Sequence, residues 1–182
     1  MPIANVASVM RHGLLSHEGA SRLQHHSVAM QAMQDRRDQK TVPGGLKLHQ
    51  YANMYFHARN PMLSVRRSED VCVLQISTDV LSLPGAVITD QNAASKYVRF
   101  YGPAQCQLLH FDDIFARDWT HPDDQIQEWR HKSRKCAEVL IPHRVPPNLI
   151  IGAIVVDEDA GNRMRRLGFT LPISVDPDFF FR

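Results

Sequence analysis

AEVLIPHRVPPNLIIGAIVV, residues 137–156, holds two apolar runs, Ala137 to Ile141 and Leu149 to Val156, divided by a proline-rich segment. Both runs have strand length and β-branched content. Beyond them the spacing predicts a helix over Ala160 to Leu167 and a strand over Ile173 to Val175. Toward the N-terminus, VCVLQIS (Val71 to Ser77) and Gly85 to Thr89 read as strands, Asn92 to Phe100 as a helix after Asp90, and Pro122 to Lys132 as another helix. Near the start, Val6, Val9 and Met10 recur at helical steps over Asn5 to Leu15, with Asn5 as cap and Gly13 as stop. Ser27 to Arg37 forms a second helical stretch ahead of the Pro43-Gly44-Gly45 turn. Helices gather early and strands late, an α+β pattern rather than an alternating parallel-sheet one.

The totals bound the rest. A chain of 182 residues with 43% hydrophobic content suits one domain with a proper core. A net charge of +2 gives no global field for nucleic acid, so local clusters must carry any such argument. Cys72, Cys106 and Cys136 are widely spaced and form no C-x-x-C, which fits a reducing, cytoplasmic setting. No apolar run is long enough for a membrane span, and the start lacks a signal-peptide pattern. Ten histidines include no H-E-x-x-H, and His25 and His26 are adjacent, so no metal site is expected. P-loop, G-x-G-x-x-G and G-x-S-x-G patterns are absent too.

Four clusters carry possible chemistry, each with a plainer alternative. Glu138 follows Lys132, Arg134 and Lys135 and stands at a strand start, where it is either a working carboxylate or charge compensation. QDRRDQK, residues 34–40, places Arg36 and Arg37 at a helix end, serving the helix dipole or clamping a diphosphate. In YANMYFHARNPML, residues 51–63, Tyr51, Tyr55 and Arg59 suit stacking of unpaired bases or inward core packing. In ITDQNAASKYVRFY, residues 88–101, small residues permit close approach while Lys96 and Arg99 face a polyanion, or the segment is a helix packed on a sheet.

Taken in order, NVASVMRHGLLS, the arginine pair with VPGGLKLH, YANMYFHARNPML, TDQNAASKYVRFY and RKCAEVLIPHRVPPNLI resemble the DarT family of toxins that ADP-ribosylate single-stranded DNA. The resemblance implies one ADP-ribosyltransferase-like domain over residues 1–182, with a split mixed and antiparallel sheet core and helices concentrated in the N-terminal half. It makes Glu138 and Arg37 the catalytic residues, and Arg37, Arg36, Gly13 and Ser16 the contacts to NAD+, with no metal. Residues from about Ser21 to Gln39 correspond to the element that closes over NAD+, and those from about Tyr97 to Glu138 to the loop that presents the substrate. Tyr51, Tyr55, Arg59, Lys96, Arg99, Lys132, Arg134 and Lys135 become the expected DNA contacts. Family members carry a His-x-Thr strand that contacts NAD+ just before the segment equivalent to Asn5 to Leu15; here Met1 falls at about the end of it.

The implied reaction is transfer of ADP-ribose from NAD+ to a base, thymine first, by the toxin of a toxin–antitoxin pair whose antitoxin is a DarG-like macrodomain protein. The implied setting is cytoplasmic, without a membrane partner. Two alternatives stand beside it: a single-strand-binding module impaired in catalysis, and a transferase acting on guanine, RNA or protein.

Overall fold

The computed structural model describes residues 1–182. The early helices are shorter than their sequence patterns. Helix α1 (Val6–His12) ends because Gly13 takes φ 82°, and a Cβ there would stand 2.0 Å from the carbonyl oxygen of Val145. Glycine is the residue that fits both constraints. The chain then forms the two-residue strand β1 (Leu14–Leu15), α2 (His17–Ala20) and α3 (Gln31–Asp38). Residues 27–30 stay out of α3, and the Ser27 hydroxyl accepts the Ala29 amide at 3.2 Å, a local bond that competes with helix formation.

Next come β2 (Tyr51–Tyr55), α4 (Pro61–Val65), β3 (Val73–Ile76), β4 (Val87–Thr89) and β5 (Phe100–Tyr101). They are followed by α5 (Phe111–Phe115), α6 (Gln125–Lys135), β6 (Glu138–Pro142), β7 (Arg144–Val145), β8 (Ile150–Val155), α7 (Glu158–Arg166) and β9 (Ile173–Val175). The two longest helices, α6 with 11 residues and α7 with 9, lie in the second half of the chain, so helices are not concentrated in the first. The expected helix over Asn92 to Phe100 is also absent. Asn92 Oδ1 takes the Ala94 amide at 2.9 Å, and the Ala93 amide and carbonyl are both bound by distant side chains. Those bonds replace the i to i+4 ladder a helix would need.

Three sheets result. The largest is antiparallel in the order β2-β6-β4-β5; the second, β3-β8-β9, is mixed, with β3 antiparallel and β9 parallel to β8; β1 pairs with β7. Strand β6 is central and Glu138 through Ile141 are buried, as a strand covered on both faces requires. Successive strand residues face opposite sides. Val139 and Ile141 therefore enter the core with Ile88, Val80 and Ile114, while Leu140 packs with Val42, Leu48, Tyr51 and Ala93. Glu138, two residues before Leu140, belongs to that second face. A separate core of Ile3, Val6, Ile150, Val155 and Met164 joins α1 and α7 to the mixed sheet.

Candidate active site

Glu138 opens β6 across from Tyr55 of β2, and its amide donates to Thr89 Oγ1 on β4 at 2.9 Å. Its side chain is fully buried. Burying a carboxylate without partners is costly, and here three bonds meet it. Arg37 Nη1 donates to Oε1 at 3.1 Å and to Oε2 at 3.0 Å, and the Ala93 amide donates to Oε1 at 2.9 Å. Arg37 reaches it from the last turn of α3 and is itself only 6% exposed. Two residues 101 apart in sequence thus meet as a buried ion pair.

The pair is incomplete in one respect. Arg37 Nη2 is buried and has no hydrogen-bond partner. A buried guanidinium donor left open is a position for an oxygen of a ligand. Oε1 of the carboxylate accepts two bonds and Oε2 one, so Oε2 keeps acceptor capacity for a hydroxyl.

Surrounding groups respond to this charge. Tyr55 is held neutral far into the alkaline range, first by burial and then by Glu138. Cys136 is pushed up to about 12 for the same two reasons in the same order. The Lys40 ammonium is pulled below its ordinary value by burial and then by Arg37. His17 is likewise lowered, by burial first and then by His49, His25 and Arg37, against an opposing pull from Asp38. The His17 ring packs on His49 at a centroid distance of 4.3 Å, and His49 Nδ1 lies 3.3 Å from Asp38 Oδ1. These contacts tie α2 to the end of α3 beside Arg37.

Ser16 is buried, caps α2 by accepting the Gly19 amide at 3.1 Å, and donates its own amide to His143 O at 2.7 Å. Gly13 is fixed by its approach to Val145. Both therefore have structural reasons for their identity, and the His17–His49–Asp38 contacts link their segment to Arg37. Arg36 points outward into a groove of about 840 Å³ that Lys40, Lys96 and Lys132 also line. A second groove, of about 610 Å³, carries Arg99, His110, Arg130 and Arg134. Tyr97 borders both and is 77% exposed.

Of the expected DNA contacts, Lys96, Arg99, Lys132 and Arg134 line these two grooves. Lys132 and Arg134 also hold acids there, Glu128 at 2.5 Å and Asp113 at 2.6 Å. Four expectations are corrected. Tyr51 is 3% exposed in the core, its hydroxyl accepting the Leu46 amide at 3.2 Å. Lys135 is fully buried: its ammonium donates to the carbonyls of Ile114 at 2.8 Å and Ala116 at 2.6 Å and lies 3.2 Å from His57 Nδ1. It fastens α6 to the C-terminal end of α5 and has no donor left for a phosphate. Tyr55 and Arg59 are not brought to the grooves either. Tyr55 lines an apolar cavity of about 240 Å³ with Met54, Met62 and Leu74, while Arg59 donates to Arg117 O at 2.6 Å and sits 4.2 Å over the Phe181 ring.

Sequence reasoning missed Tyr97, Arg130, His110 and the His17–His49–Asp38 cluster. Tyr97 sat inside a quoted motif, between Lys96 and Arg99, and its aromatic character was the available signal. The histidines gave none, because their meeting depends on how α2 and the turn before β2 pack.

With the geometry in place, comparison with known proteins identifies the family. Residues 1–181 match the family model described as ssDNA thymidine ADP-ribosyltransferase, DarT. The chain belongs to the DarT family. A DNA ADP-ribosyl transferase–DNA ADP-ribosyl glycohydrolase fusion protein of Thermosipho africanus is 26% identical over 195 residues, 98% of this chain and 47% of that protein. The chain thus spans about half the length of that relative. A DNA ADP-ribosyl transferase of Thermus sp. 2.9 is 27% identical over 180 residues, 91% of this chain and 83% of that one.

Solved structures agree on the fold. Thermosipho africanus DarTG in complex with ADP-ribose superposes with a TM-score of 0.82 at 25% identity, covering 99% of this chain and 49% of that one. Thermus sp. 2.9 DarT in complex with ADP-ribosylated ssDNA gives 0.84 at 24%, covering 98% and 92%. The α+β architecture is that of the DarT ADP-ribosyltransferases.

Proposed function

We propose that this chain transfers ADP-ribose from NAD+ to a base of single-stranded DNA, thymine by the family's description, with Glu138 and Arg37 at the reacting centre. The observation that carries the reading is the buried Arg37–Glu138 pair with one guanidinium nitrogen unpartnered. The residues fit NAD+ as substrate: Arg37 Nη2 suits a phosphate or ribose oxygen, and Oε2 of Glu138 suits a ribose hydroxyl. Cleaving the nicotinamide–ribose bond builds positive charge on the sugar, and a carboxylate held in place stabilises that charge more than it does the ground state. The ring nitrogen of thymine bonds to the ribose carbon as nicotinamide leaves, its proton passes to solvent, and the guanidinium of Arg37 favours the deprotonated base. Gly13 and Ser16 are read as shaping the NAD+ side, through the contacts that join α2 to the end of α3.

The two basic grooves with Tyr97 between them form the track for the strand. Lysine and arginine meet phosphates, and an exposed aromatic ring stacks an unpaired base. The Thermosipho relative joins a transferase to a glycohydrolase in one protein. That arrangement supports the toxin reading, with a DarG-like macrodomain as antitoxin removing the modification. No helix is long and apolar enough to cross a membrane, and the proposed site of action is the cytoplasm.

The test is incubation with labelled NAD+ and oligonucleotides that are thymine-containing, thymine-free or duplex. The expected result is label on the thymine-containing single strand only, lost with Glu138→Gln and removed by a macrodomain glycohydrolase. No label on any strand overturns the reading; label on thymine-free DNA, RNA or protein moves the acceptor.

A further inference from the structure

The end of α3 sends two cations toward one short loop. Arg37 holds Glu138, and Lys40, three residues on, has its own amide bonded to Arg37 O at 3.1 Å. The Lys40 ammonium donates to Ala93 O at 3.3 Å and to Ser95 O. The Ala93 amide donates to Glu138 Oε1 at 2.9 Å. The contacts close a ring: Arg37 to the carboxylate, the carboxylate to Ala93, Ala93 to Lys40, and Lys40 back to Arg37 through the helix end.

Ala93 is fully buried and gripped on both its N–H and its C=O. Its neighbours are fixed as well, Asn92 N donating to Ser133 O at 3.2 Å and Asn92 Oδ1 accepting the Ala94 amide at 2.9 Å. Ala93 supplies the one backbone donor to the Glu138 side chain. Its orientation decides whether Oε1 is doubly engaged, leaving Oε2 as the oxygen with spare capacity. A carboxylate free to rotate would present either oxygen and lose the alignment the reaction needs.

We propose that Lys40 is a positioning residue for the transfer assigned above: by holding Ala93 and Ser95 it sets the rotation of the Glu138 carboxylate. This rests on the reading under Proposed function. Lys40 also lines the larger basic groove with Arg36, Lys96 and Lys132, so a role limited to attracting DNA is the competing account. One observation favours positioning: the ammonium donates to two backbone carbonyls of the loop that holds Glu138, so two of its three donors are committed to Ala93 and Ser95.

The experiment compares wild type, Lys40→Met, Lys40→Arg and Lys96→Met in steady-state transfer to a labelled oligonucleotide, each substrate varied in turn and melting followed as a check on folding. Lys96, whose ammonium lies 5.9 Å over the Tyr97 ring, reports a groove cation. Lys40→Met is expected to lower kcat by about ten- to a hundredfold with KM for the oligonucleotide changed less than about threefold, well below what a lost phosphate contact gives across a salt series. Lys40→Arg, which keeps donors for both carbonyls, recovers most of the loss, while Lys96→Met raises the oligonucleotide KM. A Lys40→Met variant with wild-type kcat, or one altered only in oligonucleotide KM as Lys96→Met is, overturns the proposal alone. A wild-type protein that transfers no label overturns the assigned reaction and this proposal with it.

Discussion

Replacing Glu138 by Gln keeps the volume of the side chain and removes its charge. Glu138 is fully buried and Arg37 is 6% exposed, so the variant strands a guanidinium whose only partner was the carboxylate. The new amide nitrogen also turns a donor toward either Arg37 Nη1 or the Ala93 amide, both donors themselves. Breaking a buried pair from one side costs about 3 to 5 kcal/mol. For a domain of this size each kcal/mol shifts the midpoint by about 2 to 4 °C, so melting falls by about 6 to 20 °C. The double change Arg37→Met with Glu138→Leu removes both charges and is expected to melt near or above wild type, because the desolvation cost disappears with the pair. Calorimetry without ligand follows Glu138→Gln beside the cycle of wild type, Arg37→Met, Glu138→Leu and the double variant. A Glu138→Gln variant within about 2 °C of wild type, or a double variant as unstable as the sum of the singles, refutes the claim that the two side chains act as one buried unit.

Three further outcomes follow from contacts elsewhere. Tyr97→Ala should weaken single-stranded oligonucleotide binding by about 1 to 3 kcal/mol, roughly five- to 150-fold in Kd, by fluorescence anisotropy; unchanged affinity removes the stacking platform. Lys135→Met should cost about 2 to 4 kcal/mol in urea unfolding, through the stranded Ile114 and Ala116 carbonyls, and leave the salt dependence of oligonucleotide binding unaltered. A shallower salt slope would return Lys135 to the DNA contacts. His57 is lowered to about 4 by burial, then Lys135 and Arg59, so the unfolded chain takes up its proton first. Stability from this group is complete above about pH 6.5 and is lost as pH falls toward about 4; His57→Gln should flatten the melting curve in that window, and an unchanged slope contradicts the assignment.

The elements legible in the sequence were those with a one-dimensional signature. The β8 and β9 runs and the stop at Gly13 announce themselves through β-branched content and glycine. The loop at Asn92 to Phe100 did not, because its composition permits a helix and the groups that keep it open, Glu138 and Lys40, come from 45 and 53 residues away. The site divides in the same way. Glu138 and Arg37 acquired meaning from the order of five motifs, whereas charge counts alone left each as a surface residue. Lys135 and Tyr51 were misplaced for one reason: a cation or aromatic in a motif reads as available, and only packing tells whether its polar atom is already bound.

The 101-residue separation of Arg37 and Glu138 also bears on when the protein becomes competent. No local segment can make this contact, and loop closure on that scale is slow compared with forming a helix or hairpin. Strand β6 must first find its place between β2 and β4. A chain still emerging from the ribosome holds its arginine and has yet to make its glutamate, so a nascent or half-folded copy lacks the centre. The proposed chemistry therefore waits on maturation, and reactivity begins only when the whole sheet is in register.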